Sequence, residues 1–158
     1  MGCVGRLYNA PMAYKQPISV LVVIHTPDLQ VLLIERADFP EAWQSVTGSR
    51  EGEETLLETA RREVTEETGI VLDSNAFRDW QHSSDYEIYE VWRHRYAPGV
   101  MINTEHVFSL EVATAQPVTL APGEHTRFRW VSWQAAAEMV FSPSNAEAIR
   151  MLAERICH

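Results

Sequence analysis

The chain has 158 residues, 46% hydrophobic and 22% charged, with a formal net charge of −9 at pH 7. That length carries one domain with a core and is short for two, the acidity argues against a nucleic-acid backbone as partner, and no apolar run approaches a membrane span. Cys3 and Cys157 lie at opposite ends and make neither a disulfide framework nor a zinc spacing, so a reducing cytoplasm is expected.

In chain order, residues 1–13 have no period and no apolar stretch of the kind a signal peptide carries, and they read as a tail with Met12 as an alternative start. Residues 14–158 read as a single domain. Ile18–Ile24 and Val31–Ile34 are short continuous apolar runs that predict strands buried on both faces, separated by the turn signal Thr26-Pro27-Asp28. Residues 37–46 are expected to form a loop, with Phe39, Pro40 and Trp43 either covering the core edge or offering an aromatic wall to a flat ring.

Gly48 to Glu54 is a charged, glycine-punctuated loop. Thr55 opens a helix with Glu58 three residues on, a capping box, and Gly69 closes it as a C′ glycine. Leu57, Ala60 and Val64 form its apolar stripe. Glu63, Glu66 and Glu67, at i, i+3 and i+4, point the same way beside that stripe. Half-buried carboxylates at that spacing repel, and a hard divalent cation such as Mg²⁺ removes the repulsion with oxygen ligands. An acidic helix face balanced by Arg61 and Arg62 is the simpler reading of those three glutamates alone. Arg62 is expected to pin the loop through Glu54.

Downstream, 71–80 reads as a strand region. Residues 85–96 alternate, with Tyr86, Ile88 and Glu90 on one face and Glu87, Tyr89 and Val91 on the other, until Ala97-Pro98-Gly99. Thr104 to Val112 alternates cleanly, with His106, Phe108, Leu110 and Val112 on one side. Phe128 to Trp133 is a last strand and Trp133 to Met139 a short helix. Ser144 and Glu147 suggest a second capping box before a helix with Ala146, Ile149, Leu152 and Ile156 inward. Arg93-His94-Arg95 either steers an anionic ligand or pairs with Glu87 and Glu90. Strands mixed with two or three helices predict an α/β or α+β sandwich.

Gly48, Glu54, Arg62, Glu63, Val64, Glu66, Glu67, Gly69 and Ile70 together fill every specified position of the Nudix box, and the chain therefore resembles the Nudix hydrolases. The resemblance implies an α/β/α sandwich around a mixed β-sheet, a loop–helix–loop that holds Mg²⁺ or Mn²⁺, and attack of activated water on a diphosphate linkage. Flanking residues add to it: Pro17–Ile24, Trp43-Gln-Ser-Val-Thr-Gly48, Arg93–Val100, Asn103-Thr-Glu105, Glu124-His125 and Ser142-Pro-Ser-Asn145. These look like the Nudix branch that hydrolyses dihydroneopterin triphosphate in bacterial folate synthesis, over about Tyr14 to Ala153.

By position, that resemblance implies Glu63 and Glu67 as metal ligands with Glu66 close by. It implies Glu124 as a further carboxylate from a distant loop, and one of these glutamates as general base. It implies Lys15, Arg36, Thr47, Tyr86, Glu87, Ile88, Tyr89 and Ser142 as substrate contacts. The ligand expected is a small pterin or nucleoside triphosphate, with no nucleic acid and no membrane, and the chain a monomer or homodimer. The alternatives are a general (d)NTP pyrophosphohydrolase acting on dATP-like substrates, and a non-catalytic nucleotide-binding domain, which the complete set of box glutamates disfavours.

Overall fold

The structure is a computed structural model that describes residues 13–156; the expected tail, apart from Ala13, and both cysteines lie outside the described residues. Its centre is a seven-stranded mixed sheet. The strands are β1 (Ile18–His25), β2 (Gln30–Arg36), β3 (Trp43–Gln44), β4 (Val46–Ser49), β5 (Phe77–Glu87), β6 (Ile102–Glu111) and β7 (His125–Ser132). The main path runs β3-β2-β1-β6-β5, with β4 paired to β1 and β7 to β2. β1 and β6 are parallel, from Ile18 opposite Thr104 to His25 opposite Glu111, and the other pairs are antiparallel.

Alternation along β1 explains why its apolar run is unbroken. Val20, Val22 and Ile24 face one side, where helix α1 (Leu56–Thr68) lays Ala60 and Val64 against them. Leu21 and Val23 face the other, where α2 (Trp133–Met139) and α3 (Pro143–Ile156) contribute Ala136, Ala137, Ile149 and Leu152. A strand covered on both faces has no polar side to show. The layers are helix, sheet, helix: the α/β/α sandwich expected.

α1 forms for the reasons read in its sequence. The Thr55 hydroxyl accepts from the Glu58 amide at 3.1 Å, and the Glu58 carboxylate accepts from the Thr55 amide at 2.8 Å. Gly69 ends the helix at φ 78°, a left-handed conformation open to glycine at little cost.

Several expectations are corrected. The strand placed at 71–80 starts only at Phe77, because the Asp73 side chain caps a 3₁₀ turn at Ser74–Ala76. The alternating stretch 85–96 stays a strand only to Glu87, and Glu90–Arg95 is a 3₁₀ helix. Glu87 opposite Ile102 is the last rung of the β5–β6 ladder, so the chain beyond it has no strand to pair with. The loop placed at 37–46 contains β3 and the start of β4, and β7 begins at His125 rather than Phe128. α3 begins at Pro143, whose lack of an N–H costs nothing in a first turn. The hydroxyl at its start is Ser142, 3.5 Å from the Asn145 amide, while Ser144 turns away to Glu105. The stripe of α3 ends at Leu152, and Ile156 is 39% exposed.

Candidate active site

Two adjoining cavities open on the side where β4, α1 and the start of α3 meet. One is an acidic groove containing Glu63, Glu66, Glu67 and Glu124. The other is a pocket walled by Tyr86, Ile88, Tyr89, Trp92 and Phe141. Lys15, Arg36, Thr47 and Arg95 border both, so cations lie between the carboxylates and the aromatic wall.

In the groove, Glu63 and Glu67 are buried, one turn apart on α1. Burial pushes the Glu63 carboxyl above the ordinary carboxylate range, against its hydrogen bonds with Glu67 and Arg62. Burial first, and then the shared hydrogen bond and charge of Glu63, push Glu67 well above it, with the Thr47 amide working the other way. Glu67 Oε1 is buried without a hydrogen-bond partner. His125 Nε2 is 4.0 Å from that oxygen, but burial and then Arg36 lower its pKa to about 4, so at neutral pH it brings no charge. The His125 ring faces Gln44 and Glu67.

A Cβ at Gly48 would collide with the Glu63 carboxyl group, so a larger residue there would displace that carboxylate from its place in the groove. Arg62 pins the loop as expected: Nε donates to Glu54 at 2.7 Å, Nη2 to the Ser49 carbonyl at 3.0 Å, and Nη1 to Glu63 at 3.1 Å. The acidic-face reading of α1 holds only for Glu66, which is exposed and 3.4 Å from Arg62. Glu124 is exposed on the loop before β7, and its charge is felt at Glu67. Among the described residues no three acidic, His or Cys side chains close into a ready-made metal cage.

The orphaned oxygen of Glu67 beside a second buried carboxylate fits a hard cation that takes few protein ligands and keeps other positions for water and phosphate. Two carboxylates sharing so small a space are costly without a proton or a cation between them.

In the aromatic pocket, Tyr89 stacks on Trp92 at 5.4 Å between ring centres, and Phe141 meets both edge-on. The Arg36 guanidinium lies 4.2 Å from the Trp92 ring centre and donates twice to Asp38, at 2.8 and 2.9 Å. That pairing, mainly with Arg36, lowers the Asp38 pKa to about 2. Arg95 joins the same carboxylate at 3.3 Å. Lys15 sits near Tyr96, and its pKa is lowered by partial desolvation first and then by Arg95. Such a run of cations between an acidic groove and a flat-walled pocket suits a ligand with an aromatic ring and a polyphosphate chain.

Of the residues singled out in the sequence, Glu63, Glu66, Glu67, Glu124, Lys15, Arg36, Thr47, Tyr86, Ile88, Tyr89 and Ser142 all border one of these cavities. Glu87 borders neither; it is exposed and pairs with Arg93 at 3.0 Å. Trp43 faces the core and not the pocket, with Arg127 over its ring. Sequence reasoning missed Trp92, Phe141, Gln44 and Glu105. Trp92 was hidden by the strand expected at 85–96. Glu105 left a signal, since it alternates with Val107 on the side of β6 opposite Phe108 and Leu110.

Comparison with known proteins agrees with this geometry. The family described as the NUDIX domain matches residues 15–152. The chain is 43% identical over 139 residues to the dihydroneopterin triphosphate diphosphatase of Escherichia coli K12, covering 86% of this chain and 91% of that one. It is 44% identical over 142 residues to the Haemophilus influenzae protein of the same name, covering 88% and 89%. The solved structure of the E. coli dihydroneopterin triphosphate pyrophosphohydrolase superposes with a TM-score of 0.83 at 42% identity, over 88% of this chain and 96% of that one. With the box complete, its helix capped and its glutamates gathered in one groove, the chain belongs to the Nudix family of hydrolases.

Proposed function

We propose that this protein is a divalent-cation-dependent pyrophosphohydrolase that converts dihydroneopterin triphosphate to dihydroneopterin monophosphate and pyrophosphate in the cytoplasm, as a step of folate synthesis. The observation that carries the reading is the continuity of the two cavities through Lys15, Arg36 and Arg95. A fused ring lies against Tyr89, Trp92 and Phe141 while its phosphates pass the three cations to reach the glutamates. Relatives at 43% and 44% identity carry that activity in their names.

Glu63 and Glu67, with Glu66 and Glu124 at the groove's edge, would hold the cation, Mg²⁺ by preference and Mn²⁺ as substitute. Bound there, it would supply charge to the phosphate oxygens and lower the pKa of water. The chain's own residues do the rest. Arg36 presents a planar fork to phosphate oxygens, already oriented by Asp38 and Trp92. Lys15 and Arg95 add point and fork contacts along the chain of phosphates. Arg62 holds the Gly48–Glu54 loop against α1 so that the carboxylates keep their places. Glu66 and Glu124, exposed carboxylates of the groove, would take a proton from the attacking water.

The test is a side-by-side Mg²⁺-dependent assay of dihydroneopterin triphosphate, dATP and the other nucleoside triphosphates, with pyrophosphate and orthophosphate measured separately. A preference for the pterin with pyrophosphate released is expected. A preference for purine triphosphates would move the role to cleansing of nucleotide pools, and release of orthophosphate would overturn the bond assignment.

A further inference from the structure

We propose that Gln16 is a positioning residue: it clamps the segment before β1 to the Gly48–Glu54 loop and so fixes where Lys15 presents its ammonium to the phosphate chain. The inference deepens the proposed function and rests on it for the course of the triphosphate past Lys15.

The residues just before β1 run between two parts of the site. On one side they are held through the backbone: the Lys15 amide donates to the Arg95 carbonyl at 2.9 Å, and the Pro17 carbonyl accepts from the Thr104 amide at 3.0 Å. On the other side the β1–β4 ladder runs out. Ser19 opposite Ser49 is its last full rung, followed by the Arg50 amide donating to the Ile18 carbonyl at 2.9 Å. Gln16 continues the link with its side chain. Its Nε2 donates to the Gly52 carbonyl at 3.0 Å, and its Oε1 accepts from Arg50 Nε at 2.8 Å. Both ends of the amide are thus engaged, and Pro17 restricts the backbone of Gln16 to extended conformations.

What Gln16 grips is itself fixed. Arg62 ties Glu54 and the Ser49 carbonyl to α1, and the Glu51 amide donates to the Glu54 carboxylate at 3.0 Å. The loop therefore carries the position of α1 across to the segment that bears Lys15.

Lys15 needs that support. It is exposed, borders both cavities, and holds its ammonium 5.9 Å from the centre of the Tyr96 ring. Among the described residues it makes no ion pair, and burial and Arg95 weigh against its charge more than any carboxylate favours it. A point charge on a flexible four-carbon stem has little geometry of its own, so its aim depends on where its backbone stands. A phosphate contact made alike in the ground state and the transition state sets KM and leaves kcat alone. A residue acting through Lys15 must follow the same pattern, and must do nothing once the ammonium is gone.

The experiment is a double-mutant cycle of Gln16→Ala and Lys15→Ala, with kcat and KM for dihydroneopterin triphosphate and for dATP in saturating Mg²⁺. Gln16→Ala alone should raise KM by about tenfold, with kcat changed by less than about twofold. Added to Lys15→Ala, it should move KM by less than about twofold, because the two changes share one contact. KM does not depend on the fraction of enzyme folded, so loss of stability cannot imitate the result. An equal rise in KM with and without Lys15 would overturn the proposal, as would an unchanged KM in Gln16→Ala. So would a fall in kcat at constant KM, which would make Gln16 a support of the glutamate loop. If wild type hydrolyses dATP and ignores the pterin triphosphate, the proposed function fails, and the cycle on dATP still decides the role of Gln16.

Discussion

At the scale of single residues, the groove is built on two buried carboxylates on neighbouring turns of one helix. Glu63 and Glu67 are both buried, burial pushes both carboxyls above the ordinary range, and Glu67 Oε1 has no hydrogen-bond partner. Replacing Glu67 by Gln removes a buried acid, so the metal-free protein at neutral pH should melt no lower than wild type. Turnover in Mg²⁺ should fall by at least about 100-fold, the upper range for losing even an outer partner of a metal site. Calorimetry and kcat on the same samples check both halves. Glu35 is the opposite case. Arg127 donates to it at 2.7 and 2.9 Å, and with the Glu41 amide and Thr126 it lowers the carboxyl pKa from 4.5 to about 2. Its contribution is present above pH 4.5 and is lost as pH falls toward about 2. The stability gap between wild type and Glu35→Gln should therefore be open at neutral pH and close over that window, as acid titrations followed by circular dichroism would show.

Among elements, α1 does two jobs with two faces. Ala60 and Val64 hold it to the sheet while Glu63 and Glu67 face the groove, and the capping box at Thr55 and Glu58 starts it at the right residue. Thr55→Ala removes the cap without touching either cavity. Stability should fall by about 1 kcal/mol, with kcat unchanged; urea melts and a saturating assay test it. The 3₁₀ segment Glu90–Arg95 matters as much to the pocket. By leaving the sheet it swings Trp92 over Arg36 and brings Arg95 to Asp38, closing the aromatic wall.

At the scale of the whole molecule, a chain with a net charge of −9 is proposed to take a polyphosphate. The local arrangement reconciles the two, with Lys15, Arg36 and Arg95 at the junction of the cavities and the proposed cation offsetting the glutamates. Binding of that cation to the folded state alone raises stability by mass action, about 2.7 kcal/mol at a hundred times its Kd. For a chain of this size that is a rise in Tm on the order of 5–10 °C. Scans with saturating Mg²⁺ and with chelator should differ by that much in wild type and by little in Glu67→Gln. An equal shift in both would place the cation elsewhere.

Much of this was legible in the sequence because it is local. The cap at Thr55, the stop at Gly69, the tie between Arg62 and Glu54 and the grouping of the box glutamates depend on residues within about two helical turns or one loop. The buried strands β1 and β2 announce themselves because a strand covered on both faces is apolar throughout. What the sequence could not decide are contacts between distant segments. Glu66 has the spacing of its neighbours yet stays in water, since burial depends on what packs above the helix. Residues 88–95 alternate like a strand yet leave the sheet, since a ladder needs a partner and β6 begins opposite Glu87. Glu105 becomes the floor of a pocket only when Ser144, 39 positions later, closes over it. Local order follows from side-chain propensity and hydrogen bonds made nearby. Exposure, partnership and the shape of the site follow from which surfaces meet, and only the tertiary structure decides that.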